Sequence, residues 1–545
     1  MTSFIAPPPG AAGVLGADIA VRSVTASASS PYAPTALPGW QDLLGVGQWG
    51  DGIWHIKSGK NPSGSAKCDG QRVTDGAMST GSAILTSASN LFVAGDVGKL
   101  VTVAGGGAAG VVLATTIASY QSAGQVTLTA ANASGGNISG KAVSWATDDI
   151  LPIQAAINAM KAAGGGIVDF GFGNIGISAA MSLTAMAKAA TFRGRGTKTS
   201  LAPTRIFSTA ATAFLDLGDG AVGANDFTGK LTLEDMLWDG VDRNIDMIRN
   251  RNFVTNLGRM HFQRMDFWAF GTGYGFRDAV GGVTTQDSYM VDVEFVFGGT
   301  GMLLMNGAWD FQNCTFGFLT KGVDIRANNK SAFYGCVFTG CVDDIYFGDT
   351  GITYTNPYLF SGQWHENSTD ACMSSSTAIV GLDVTFDNVR LHTSGSYQIY
   401  MGGLTNSTIV LRQVDFGGVA TKILTAAAGS GNVIYSEDSR PINRVVAVAS
   451  PINSTRNSIG PHLLAADTYT GTAVASTDYL VQGCRGLRMF VTVGTGVSVS
   501  LKDRTQATNT VIGAGTTPIS FYVPAGFFVN FGAFSVAPTI VAMVD

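Results

Sequence analysis

Asp266 and Glu294 are 28 residues apart, and so are Arg264 and Asp292. Paired carboxyl groups do acid–base work: one protonates a leaving oxygen, and the other attacks as nucleophile or activates water. Like charges held close together raise one of the two pKa values, leaving one group protonated and able to act as the acid. Asp266, Glu294 and Asp292 are therefore the candidate catalytic group, with Arg264 as a substrate-binding cation and Asp235 one repeat earlier. The same residues admit two other readings. One is a solvated outer face neutralised by Arg264; the other is a set of oxygen ligands for a hard cation such as Ca²⁺. A second group is Trp364, His365, Glu366 and Asp370. An exposed ring can hold the apolar face of a sugar while charged neighbours take its hydroxyls, although Trp364 also fits a core position. A third group, Asp239, Asp242 and Asp246, reads as turn chemistry, and Asp343-Asp344 is weaker still. There is no Ser/His/Asp frame, phosphate-binding loop or dinucleotide fingerprint. No cofactor and no dedicated metal site are expected.

These residues are ordered by a repeat. A triplet of core-type residues at relative positions 0, 3 and 5 recurs eight times. It runs Leu233/Met236/Trp238, Phe262/Met265/Phe267, Met290/Val293/Phe295 and Phe311/Cys314/Phe316, then Phe333/Cys336/Phe338, Leu359/Gly362/Trp364, Phe386/Val389/Leu391 and Leu411/Val414/Phe416. The first members are 29, 28, 21, 22, 26, 27 and 25 residues apart. Positions 3 and 5 share strand parity and point inward together, while 2 and 4 point outward. A local bend or bulge is expected between position 0 and the rest. A second inward pair often follows, as in Met302/Leu304, Val323/Ile325 and Ile345/Phe347. The period matches a coil of short strands; the leucine-rich frame of similar period is absent. Asp266 and Glu294 then stack on neighbouring turns, about 4.8 Å apart at the backbone.

Composition agrees. Hydrophobic residues make up 46 % of 545, charged residues 13 %, and glycine numbers 71. Long helices need charged wet faces that this chain cannot supply, whereas short strands and tight turns suit it. The net charge is −5 with no basic domain, which argues against nucleic acid. No apolar run reaches the roughly 20 residues of a membrane span. No Lys or Arg precedes Arg22, so no signal peptide is read and synthesis in a cytoplasm is expected. The six cysteines (Cys68, Cys314, Cys336, Cys341, Cys372 and Cys484) lack zinc spacing and read as buried thiols.

Along the chain, residues 1–40 read as a flexible arm rich in Ala, Pro, Ser and Gly. Residues 41–146 read as a β-rich N-terminal domain or insertion. An amphipathic helix follows, with Asp148 or Asp149 as cap, Pro152 in its first turn, Ile153, Ile157 and Met160 on one face, and Gly164-Gly165-Gly166 at its end. Such a helix can cover the open end of a stack of strands. The stack spans 147–445, and the runs between 460 and 545 suggest a C-terminal β-sandwich.

TDDILPIQAAINAMKAAGGGIVDF followed by TFRGRGTKTSL resembles the opening motif of the pectate-lyase superfamily, which includes phage tailspikes. CDGQRVTDG at 68–76 resembles an earlier half of that motif, separated from it by an insertion at 77–146. The resemblance implies an all-β protein, a right-handed parallel β-helix with an N-terminal capping helix. It further implies a homotrimer in a virion, assembled in the bacterial cytoplasm. The N-terminal region would anchor it to other virion proteins, and the C-terminal part would trimerise or bind sugar. The expected ligand is a bacterial surface polysaccharide, recognised and in some members depolymerised by paired carboxylates. Stacked on neighbouring turns, Asp266 and Glu294 lie nearer the retaining than the inverting separation. A non-catalytic virion spike and a bacterial polysaccharide lyase or hydrolase remain the alternatives.

Overall fold

The computed structural model describes residues 52–57, most of 63–416, and the backbone of separate strands from there to 544. Strand Leu231–Asp239 pairs in parallel with Met260–Trp268, which pairs with Thr285–Leu304 one turn later. The pattern continues through Gly307–Gln312, Lys330–Tyr334, Pro357–Ser361, Asp383–Asp387 and Thr408–Arg412 to Val433–Glu437. The chain is a parallel β-helix.

The register builds columns of like residues. Leu233, Phe262, Met290, Phe311, Phe333, Phe360, Phe386 and Leu411 lie over one another on consecutive rungs. Trp238, Phe267, Phe295, Phe316, Phe338, His365, Leu391 and Phe416 form a second column. Both columns are buried. The rings of Phe311 and Phe333 stack with nearly parallel planes, their centroids 4.3 Å apart, and those of Phe316 and Phe338 stack at 4.8 Å. Each such pair adds about 0.5–1.5 kcal/mol beyond the area it buries. Cys314 and Cys336 are buried on successive rungs, just before the paired residues Thr315 and Val337.

The expected bend sits at position 2. Asp235, Arg264, Asp292, Asn313, Asn388 and Gln413 all have φ between 49° and 59°. Gly335 and Gly362 take the same place at φ 61° and 63°. Asn, Asp and Gly bear this left-handed conformation at low cost, which explains their recurrence.

One triplet is out of frame. Phe360, Gln363 and His365 face inward instead of Leu359, Gly362 and Trp364, because Phe333 pairs with Phe360 and Phe338 with His365. The sequence offers two adjacent apolar residues, Leu359 and Phe360. Ring stacking on Phe333 at 4.8 Å selects the second.

The stack starts before residue 147. Ile53–His55 pairs in parallel with Gly166–Asp169. Six strands between Gln71 and Ala146 close into an antiparallel barrel with its own core, including Leu85, Phe92, Val126, Val143 and Trp145. This barrel is an insertion, and it begins at residue 71 rather than 77, because Gln71–Met78 is its first strand. Asp69 bridges Asn174 while Asp148 bridges Gly176, so both ends of the insertion lie against one strand. Asp69 also accepts hydrogen bonds from the Thr147 amide and hydroxyl, each 2.9 Å.

Helix α1 (Ile150–Ala162) follows, with Asp149 at its N-cap position. The Asp149 carboxylate accepts from the Lys67 and Cys68 amides, and Asp148 accepts from Ile150. Ile153, Ile157 and Met160 are buried in the same core as Trp54 and Val168. At the other end, Asn457–Gly460 pairs in parallel with Thr477–Val481, which then pairs antiparallel with Phe528–Phe531. Thr468–Thr472, Thr539–Val544, Leu487–Thr492 and Ile519–Val523 make a separate antiparallel sheet. The arm at 1–40 and Cys484 lie outside the described residues. No helix among the described residues is long and apolar enough to cross a membrane.

Candidate functional site

The bend at position 2 turns the coil onto a second face, whose outward column reads Leu237, Asp266, Glu294, Thr315, Val337, Trp364, Arg390 and Asp415. At its lower part is a cleft of about 480 Å³ lined by Asp235, Arg264, Asp266, Asp292, Glu294 and Lys198, among others. The fold thus brings together Asp266, Asp292, Glu294 and Arg264.

Their environments differ. Asp266 is 4 % exposed, and its carboxylate accepts the Lys198 amide at 2.9 Å. Burial pushes its pKa up and the Glu294 charge adds to this, against the hydrogen bond from Lys198. Glu294 pairs instead with the Lys198 ammonium. Arg264 forks onto Asp235 at 2.6 and 2.9 Å, and Asp292 is exposed. A carboxyl group biased toward its neutral form beside an ion-paired carboxylate is the division of environments that acid–base chemistry uses. The register sets Asp266 directly opposite Glu294, with the two backbones about 4.8 Å apart.

Trp364 stands outward on the same face, 45 % exposed, with the Arg390 guanidinium 4.5 Å from its ring centroid. Three rungs, through Thr315 and Val337, separate it from Glu294, about 14 Å at the usual strand spacing. Half-buried Glu366 accepts from the Thr339 hydroxyl at 3.3 Å, and Asp370 is exposed. His365 is a correction. It is fully buried, stacks on Phe338 at 4.7 Å and points into the core, where nothing on the outer face can touch it. Its placement follows from the frame shift that put Trp364 outside.

The third acidic group has structural partners. Asp239 binds Arg205 at 2.7 and 3.0 Å, and Arg205 reaches Ser144 of the barrel. Asp246 accepts from the Tyr274 amide at 3.1 Å and lies 3.5 Å from Arg277.

Four neighbours of the cleft escaped the sequence reading. Lys198 belongs to a loop outside the repeat, so no spacing could place it. Trp268, Phe297 and Phe318 did carry a signal. Phe297 and Phe318 fall at position 7 of successive repeats, a second left-handed bend, with φ of 59° and 54°. They are 41 % and 54 % exposed and stack at 5.0 Å. Trp268 meets Phe297 edge-on at 5.1 Å, and Lys198 lies 4.4 Å above the Trp268 ring. An aromatic step thus runs beside the carboxylates.

No family model matches the sequence, and no curated protein matches it. Solved structures similar in fold include the A-module of mannuronan C-5 epimerase AlgE4 from Azotobacter vinelandii, with 16 % identity over 57 % of this chain and 96 % of that one, TM-score 0.41. ORF18 of Geobacillus virus E2 shows 14 % identity over 73 % of each chain, TM-score 0.34. Tailspike gp49 of Acinetobacter baumannii bacteriophage Fri1, a capsular polysaccharide depolymerase, shows 14 % identity over 73 % of this chain and 82 % of that one, TM-score 0.31.

Proposed function

We propose that this chain is a tailspike-like receptor-binding protein of a virion, and that the outward face from Asp266 to Trp364 binds and cleaves a bacterial surface polysaccharide. The observation that carries this reading is the registered pair Asp266 and Glu294, one carboxyl group buried and the other held by Lys198. Asp266 is the acid and Glu294 the nucleophile or base. Asp292 and Arg264 position hydroxyls, while Trp268, Phe297 and Trp364 offer ring faces to sugars. A homotrimer docked to other virion proteins through its N-terminal region completes the proposal.

The test is incubation of the protein with capsule or lipopolysaccharide from candidate hosts, followed by measurement of new reducing ends and of unsaturated sugars. Glu294→Gln and Asp266→Asn should each slow cleavage by about 10²-fold or more while sugar binding persists. Equal rates in wild type and both variants would remove these residues from the mechanism. Unsaturated products would point to a lyase.

The binding-only spike has its own support. Asp266 is almost wholly enclosed and holds the Lys198 amide, a geometry that also serves to fix the loop. Under that reading the wild type releases no new ends from any host polysaccharide it binds. A free bacterial lyase or hydrolase would cleave without assembling into virions.

A further inference from the structure

The core of the β-helix changes character at one level. Below it, Gly275, Gly301 and Gly322 follow one another on the third face of the coil, and each makes room for a ring, respectively Phe295, Phe316 and Phe338. A Cβ on Gly322 would come within 2.8 Å of the Phe338 ring. One rung higher both columns turn polar together. The place after Gly322 is taken by Asp344, and the place after Phe338 by His365. Cys372 lies on the next rung above Asp344, since Asp343 pairs with Ala371.

Asp344, His365 and Cys372 are all fully buried, and their donor atoms lie within 4.8 Å of one another. His365 Nδ1 is 3.0 Å from Asp344 Oδ2, which also accepts from the Ser368 hydroxyl. Asp344 Oδ1 has no hydrogen-bond partner, and neither has the Gln363 amide nitrogen, whose oxygen faces His365 Nε2 at 2.9 Å. Cys341 is a further soft donor close to Asp344, its thiol directed to the Phe316 and Thr339 carbonyls. A buried carboxylate oxygen without a donor is costly, and apolar residues would fill this level as they fill the rungs below.

We propose that this level is a buried metal site holding one Zn²⁺ through the Asp344 carboxylate, the His365 imidazole and the Cys372 thiolate. The donor set is one that zinc accepts, and bonds of about 2.0–2.3 Å require only small shifts of donors already this close. Charge balances: one carboxylate, one thiolate and a neutral imidazole cancel the dication inside the apolar stack. Binding displaces the Cys372 thiol proton to solvent, and the single N–H of the neutral imidazole stays on Nε2, facing the Gln363 oxygen. The level is closed to solvent, so the ion enters as the coil forms. The site is structural and independent of the carboxylates on the outer face.

The experiment uses the full chain, expressed with zinc present and purified without chelator, with metal measured by elemental analysis. The expected content is about one zinc per chain. Expression with cobalt instead should give a thiolate-to-cobalt charge-transfer band that Cys372→Ser abolishes. The double variant Asp344→Gly/His365→Phe continues the glycine and phenylalanine columns, so it should fold as the wild type does. It should hold less than about a tenth of an equivalent of metal. Folded wild type with less than that amount overturns the proposal and leaves a hydrogen-bonded polar level only. Equal metal in the wild type and the double variant overturns it too, by placing the ion elsewhere.

Discussion

Asp343, the residue before Asp344, points the other way along its strand and meets a different problem. Burial, with Asp370 nearby, raises its pKa to about 6. The folded protein keeps this proton up to about pH 6, whereas the unfolded chain releases it near 4. The folded state binds the proton more tightly, so stability at this site is full below pH 4 and is lost as pH rises through 6. Asp343→Asn should therefore raise the melting temperature at pH 7.5 and leave it unchanged at pH 4. The gain should be on the order of 1–3 kcal/mol. Equal shifts at both pH values would assign the effect to packing. Asp266 carries the same sign, so Asp266→Asn should cost activity without costing stability at neutral pH.

At the level of the strand, the repeat was legible because inward residues recur with fixed parity. Leu233, Phe262, Met290 and Phe311 needed no structure to be placed in one column. The same rule failed at Leu359 and Phe360, where two apolar neighbours satisfy either parity and only the ring below decides. That single slip moved His365 inward and Trp364 outward, so one of the two expected ligand residues is enclosed and the other lies on the outer face. Lys198 was illegible for a different reason: it approaches the face from a loop that has no period. Two measurements test the columns. Thiol reagents should leave Cys314 and Cys336 unmodified in the native protein, and rapid labelling of either would contradict the register. Gly301→Ala places a methyl group 2.5 Å from the Gly322 carbonyl and 2.9 Å from the Phe316 ring. It should destabilise by about 1–3 kcal/mol, seen as a lower melting temperature.

The whole molecule joins a barrel, a long coil and C-terminal antiparallel sheets, in which each rung buries its faces only against the next. Mass photometry of the intact protein should give about three chains per particle if the proposed spike assembly holds. A stable monomer would count heavily against the virion reading while leaving the fold and the face chemistry intact. The boundary of the inserted barrel was harder to read than its existence. QRVTDG looks like part of the opening motif, yet Gln71–Met78 pairs with Ile138–Ala146 in the barrel wall.

That boundary has a further consequence. Asp69 stands opposite Asn174 and Asp148 opposite Gly176, so Thr147, joined directly to Asp69, would stand opposite Ile175. The barrel interrupts one strand of the coil at a single point, and joining Asp69 to Thr147 would leave that strand in register with Gly173–Ile177. Such a junction behaves as a splice site in the protein: the coil supplies a standard socket, and any small domain whose two ends meet could be plugged into it. A lineage carrying this coil could therefore exchange the barrel in one recombination step, without redesigning the rungs that hold the cleft in place.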